Sequence, residues 1–394
     1  MTNHISRITS LFRANPQHRA PNPWLSFSAL AILFLLFALQ PAYGEDEMKK
    51  LSSRLLSAPK LAAETGFSAK LLVPPGQLYD PLWMLPRGNV VWMNDDGGEE
   101  NEKGSRLLAL DTKGKISVLA GLGKLLPVTG FDIAPASFGA FAGQIFSLAQ
   151  AKVAAAGATA NHIVQRIDPS KGYEASVFCT LQNAGSANQG VSGFGVDARF
   201  GPEGSPFAGK FFAVTAFNNA IYQVTPDGVC TPFAIFEGKQ AASPTGLAFS
   251  LDGKTMLVTI VRGDIVGAST GKTGAIVMVS PDGKIAEKPF VEGLSRPMGM
   301  DIAPQTFGSY AGQVFVADVE NIQVPVPMTQ ALAADGKVYR VADGVLHLVA
   351  SGFFNPAGVR FVADKLLWIS DINGDFIAGM RELPDGFITE IRAQ

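Results

Sequence analysis

Histidine and cysteine are scarce in this chain of 394 residues, with four and two respectively. His4 and His18 precede the first apolar run, which leaves His162 and His347 for the body of the protein. That is too little for a zinc site of the usual His/Cys type. No Cys-x-x-Cys-His occurs, which excludes covalent haem, and no Gly-x-Ser-x-Gly elbow offers a serine nucleophile. No glycine-rich loop opens a helix to cradle phosphate. Charge is also thin: 17% of residues are charged and the net charge is −2, so no basic surface recommends nucleic acid as a partner.

Long apolar stretches are missing too. The longest, Leu25–Leu39, covers fifteen residues, short of the ~20 that span hydrocarbon. Arg7, Arg13 and Arg19 precede it, and Ala42 and Gly44 supply a small-x-small end. This is the layout of a secretory signal, so residues 1–44 are expected to be a signal peptide cut after Gly44, with an uncleaved anchor as the lesser alternative. The expected location is periplasmic or extracellular, with no stable membrane span after cleavage. Residues 45–66 read as a leader or short helix without a role. Export permits a disulfide, but Cys179 and Cys230 fall on outer strands of neighbouring repeats, and spacing argues against a bridge.

Turn formers are plentiful, with 42 Gly and 25 Pro. They punctuate a repeat. DIAPASFGAFAGQIF at Asp132–Phe146 recurs as DIAPQTFGSYAGQVF at Asp301–Phe315 with ten of fifteen positions identical, and GVDARFGPEGSPFAGKFF from Gly195 is a looser third copy. Gly130, Gly193, Gly246, Gly299 and Gly358 open successive units, and a first unit opens near Leu82. Within a unit, four short apolar runs alternate with turns, as in PLWMLPRG, NVVWMND, SRLLALDTKGK and ISVLAGL. Asp-Gly pairs at Asp227, Asp252, Asp282, Asp343 and Asp385 mark hairpin turns. Six four-stranded antiparallel units, none able to bury both faces alone, close into an all-β, six-bladed β-propeller over residues 67–394. Phe67–Pro75 either completes the last blade or adds an edge to it.

SPTGLAFSLDGKTMLV at Ser243–Val258 resembles the blade opening of SMP-30/gluconolactonase-like and NHL-type six-bladed propellers, and LYDPLWMLPRGNVVWMND resembles their first blade. The resemblance implies a divalent cation at the rim, held by a Glu, amide side chains and an Asp, and calcium-dependent hydrolysis of a lactone or ester. Here those positions carry Tyr79, Thr245 and Met298, and the other openings carry Thr129, Ser192 and Ala357. A thioether does not replace a carboxylate on a hard cation. The expectation is therefore binding of a small molecule, glycan or protein at the channel rim without the usual metal site. The alternative is the calcium-dependent hydrolase, its cation held by Asp80, Asp318 and Asp371.

In antiparallel blades, the loops before first strands and after second strands share one rim. The candidates there are Asp80, Asn94, Asp95, Asn218, Arg262, Asp318, Glu320, Asn321, Asp371 and Asn373. The acidic run Asp95–Glu102 reads as a solvated loop. Asp132 and Asp301 read as carboxylates that fix the turns following them. Segments at 151–161, 263–273 and 320–334 are expected to be rim insertions.

Overall fold

The computed structural model describes residues 49, 52–96, 105–121, 125, 128–150, 162–181, 195–216, 219–263, 271–319, 335–372 and 383–394. Among these, six antiparallel sheets follow one another along the chain. In each, the strand earliest in the blade lies innermost and the next three step outward, except where the N-terminus intervenes. Blades 1 to 4 occupy residues 80–120, 128–180, 195–235 and 243–294. Blade 5 covers 297–353, and blade 6 begins at Pro356.

Among the described residues, blade 6 supplies three strands from its own stretch: Pro356–Ala363, Leu366–Asp371 and Gly386–Ala393. Phe67–Leu78 lies outside the last of these as the fourth, so chain start and chain end are stitched into one sheet. This settles the closure left open by the sequence. The leader also has a place, because Ala62–Ala63 pairs with Ala350 and Ser351 on the outer edge of blade 5. Leu55 is fully buried, and Leu61 packs against the cluster shared by blades 5 and 6.

The core is six wedges between faces rather than one centre. Five of the apolar clusters join two successive blades, one of them joining blade 6 back to blade 1 through Val73, Trp368, Ile388, Met84 and Met93, and the cluster of blades 1 and 2 also takes in Val196 and Ala216 of blade 3. Burial of that apolar surface is the main force closing the ring.

The fifteen-residue repeat builds part of this. In blades 2 and 5 it is the hairpin between first and second strands, with a 3-10 turn inside it. Phe138 packs on Phe146 of its own blade and on Phe200 of blade 3, with centroids 5.0 and 4.8 Å apart. Phe307 does the same with Phe315 and Phe361 of blade 6. Phe207, in the third copy, meets Phe212 and Phe249 of blade 4. The motif is an aromatic wedge inserted between one blade and the next.

Cys179 and Cys230 are joined in a disulfide, with Cα atoms 6.4 Å apart. The expectation of no bridge fails because the outermost strands of blades 2 and 3 approach more closely here than radial divergence suggests. One Asp-Gly assignment also changes. Asp385 and Gly386 do not form a hairpin turn. They begin the third strand of blade 6 at the opposite rim, where the Gly386 N–H donates to Tyr79 O. Of the predicted rim insertions, 151–161, 264–270 and 320–334 lie outside the described residues.

Candidate functional site

Strand register sets the levels of the channel. Pro81 pairs with Asp95, Pro297 with Asp318 and Pro356 with Asp371. These three aspartates lie at or next to the ends of the second strands of blades 1, 5 and 6, at the same register level. Each turns onto the backbone that enters its own blade. Asp95 accepts from the Tyr79 N–H at 3.0 Å, and Asp318 from Ser295 and Arg296 at about 3.0 and 2.7 Å. Asp371 accepts from Phe354 and Asn355, both at 2.9 Å. A buried carboxylate taking two N–H groups fixes the incoming loop and satisfies donors that burial would otherwise orphan. Burial raises the Asp95 pKa above the usual carboxylate value, opposed by Arg106, whose Nε donates to it at 2.7 Å.

The remaining candidates divide. Asn94 is buried and links blades, its Oδ1 accepting from Trp83 N–H and its Nδ2 donating to Val128 O at 2.6 Å. Arg262 lies at the surface and pairs with Glu292 at 3.1 Å. Asn218, Glu320, Asn321 and Asn373 lie outside the described residues, as does the acidic run beyond Asp96. Asp80, Asp318 and Asp371 stand on three blades, and two of them spend oxygens on backbone N–H groups. Among the described residues no group of three or more His, Cys, Asp or Glu gathers to hold a metal ion. Among the described residues, the three carboxylates do not assemble a calcium donor set.

Asp80 belongs to a second set of mouth residues, whose other three members escaped the sequence reading. Asp80, Ser243, Arg296 and Asn355 each immediately precede the proline that opens an inner strand. They occupy one register position in blades 1, 4, 5 and 6 and are 8, 8, 4 and 5% exposed. The prolines that follow them were the available signal.

Below the mouth the inner strands close on the axis. Gly299 shows how tightly: a Cβ there would meet Ala357 O at 2.3 Å and Trp83 Cζ3 at 2.7 Å. Blades 1 and 5 are not neighbours, so Trp83, 1% exposed, reaches across blade 6 into the interior shared by the inner strands. Gly130, Gly246 and Gly358 stand at the same register position, but blade 3 carries Asp197 there, not the expected Gly193. Asp197 accepts from its neighbour Ala198 and from Leu247 of blade 4.

Deeper still, Asp132 accepts from Ile133 N–H at 2.8 Å and from Phe200 N–H of blade 3 at 2.9 Å. Asp301 accepts from Phe361 N–H of blade 6 at 3.0 Å. Both therefore tie blade to blade and do not fix their own following turns, as the sequence had suggested, because the inner strands crowd closely enough to share donors. Desolvation lifts the Asp132 carboxyl to about 6, and burial raises Asp197 and Asp301 as well.

Comparison with known proteins shows the fold. No family model matches the sequence, and no curated protein does. Among solved structures, a gluconolactonase from Xanthomonas campestris is 14% identical with a TM-score of 0.52, covering 86% of this chain and 95% of its own. A glucose dehydrogenase is 16% identical with a TM-score of 0.53, covering 83% of this chain and all of its own. The soluble aldose sugar dehydrogenase of Escherichia coli is 12% identical with a TM-score of 0.53, again covering 83% and 100%. At such identities the likeness is one of propeller architecture.

Proposed function

We propose that this chain is an exported binding protein for a small, polar, sugar-like molecule held at the channel mouth. The observation that carries this reading is the register position shared by Asp80, Ser243, Arg296 and Asn355. The fold asks the same thing of that position in these four blades, and a purely architectural role would favour one residue type. Instead the four supply an acid, a hydroxyl, a guanidinium and an amide at 4–8% exposure. A polyhydroxylated ligand needs mixed donors and acceptors of this kind, held away from competing water. Sugar or sugar-lactone chemistry is suggested by the architectural relatives, which include a gluconolactonase and two sugar dehydrogenases. SMP-30/gluconolactonase kinship belongs to this proposal too, on the blade openings described above. The disulfide supports export, since such bridges persist in oxidising compartments.

The test is calorimetric titration of the purified protein with aldoses, aldonolactones and aldonates, with and without calcium. Binding that Arg296→Met and Asn355→Leu each weaken at least tenfold, with folding intact by circular dichroism, is the expected result. No heat from any member at millimolar concentration rejects the reading. Calcium-dependent turnover of a lactone would replace it with the hydrolase.

A further inference from the structure

The channel holds a second level whose residues the mouth does not use. One step inward from the bulge, each blade contributes one residue at identical register: Leu85, Asp132, Arg199, Ala248, Asp301 and Arg360. Read around the ring this is Leu-Asp-Arg followed by Ala-Asp-Arg, so blades 1–3 and 4–6 repeat one another. Rotation by three blades carries Arg199 onto Arg360 and Asp301 onto Asp132.

The contacts do not obey that symmetry. Arg199 reaches two blades on, placing Nη1 3.1 Å from Asp301 Oδ1 and donating also to Met300 O. The symmetric act for Arg360 would be to reach Asp132. Arg360 instead donates from Nε to Met84 O at 2.8 Å and keeps Nη1 3.9 Å from Asp301, where that nitrogen makes no hydrogen bond among the described residues. Both guanidiniums thus lean toward one carboxylate. Asp132 has backbone donors but no cation within hydrogen-bond reach. The charged groups that act on it are Arg199 and Asp197 of blade 3; Asp301 of blade 5 and Arg360 of blade 6 stand at the same register level, where blades 1 and 4 offer only Leu85 and Ala248.

We propose that Asp132 and Arg360 form a proton-controlled second strut across the channel. With Asp132 neutral, Arg360 rests on Met84, as here. With Asp132 ionised, Arg360 turns to it and completes the pairing that Arg199 already makes with Asp301. Geometry supplies both endpoints, since the second is the symmetric copy of an ion pair already present. An uncompensated carboxylate at this depth supplies the driving force, because charge in a desolvated site is stable only when paired. The lifted affinity of Asp132 for its proton places the change between mildly acidic and neutral pH. The element has two discrete arrangements biased by one proton, as a pH switch requires.

Trp368 is the direct strand partner of Arg360 and is fully buried, so its indole N–H reports on the guanidinium. The experiment follows that resonance in the purified protein from pH 5 to pH 8, assigned with Trp368→Phe. A single titration step centred near pH 6 is expected, and it should vanish in Asp132→Asn and in Arg360→Gln. A flat profile in the unsubstituted protein, or a step that survives in Asp132→Asn, overturns the proposal. Should the variants fail to fold, crystals of the unsubstituted protein at pH 5 and pH 8 decide it: Arg360 still on Met84 at pH 8 refutes the strut.

Discussion

The two ends of the channel are built on opposite terms. At the end holding the turns between first and second strands, three blades place the same aromatic wedge in the same crevice, as Phe138, Phe207 and Phe307. At the mouth, three blades use the same aspartate clamp, yet the residues beside it are Asp80, Arg296 and Asn355. Packing between identical faces poses one question repeatedly and receives one answer. A ligand is not six-fold symmetric, so a site for one breaks the repeat. Where the repeat is kept, the residue serves the ring, and where it is broken at one register level, the ring alone does not account for the choice of residue.

That contrast can be broken most forcefully at the wedge. Phe307→Ala removes a fully buried ring between blades 5 and 6 and should lower stability by about 3–5 kcal/mol, read from urea midpoints. A loss under ~1 kcal/mol would show that the motif recurs for some reason other than packing. Next in size is the covalent tie. Cys179→Ser closes no loop across 51 residues and should lose roughly 2–4 kcal/mol under oxidising conditions, with no change under reductant.

The clamp should come third. Asp371→Ala leaves the Phe354 and Asn355 N–H groups without their acceptor and is expected to cost about 2–3 kcal/mol by thermal melting. Asp371→Asn, which retains one acceptor oxygen, should recover part of this. A null result would move Asp371 from the architecture to the ligand site. The smallest effect concerns pH. The folded Asp132 pKa of about 6 lies above its unfolded value near 3.8, so the native state holds the proton longer. Stability from this group is therefore greatest below the unfolded value and declines as pH rises through that window to 6. With its channel edge still accessible, the decline is roughly 1–2 kcal/mol. Asp132→Asn should flatten this component of the stability profile between pH 4 and 6, and an unchanged slope would place the titration elsewhere.

Much of the ring was legible because each blade leaves local marks. Alternating apolar runs, the Asp-Gly turns of blades 3, 4 and 5 and the duplicated segment at Asp132 and Asp301 report the four-stranded unit directly. The site was less legible. Asp95, Asp318 and Asp371 stand out in the sequence as polar ends of apolar strands, but their partners are N–H groups of residues preceding Pro81, Pro297 and Pro356, sixteen to twenty-three positions away. Backbone donors carry no sequence signature. Ser243, Arg296 and Asn355 were overlooked because the proline after each marks a strand entrance, and that entrance becomes a place at the channel only when six blades are closed around it.

From the chain alone come the blade count, the four-stranded antiparallel unit and the repeated hairpin, because these depend on neighbours in sequence and on burial of alternating faces. Closure by Phe67–Leu78, the bridge from Cys179 to Cys230 and the ion pair from Arg199 to Asp301 join residues from about fifty to more than three hundred positions apart. Such pairings depend on how radial sheets converge at an axis and diverge at the perimeter, and that spacing exists only once the ring has formed.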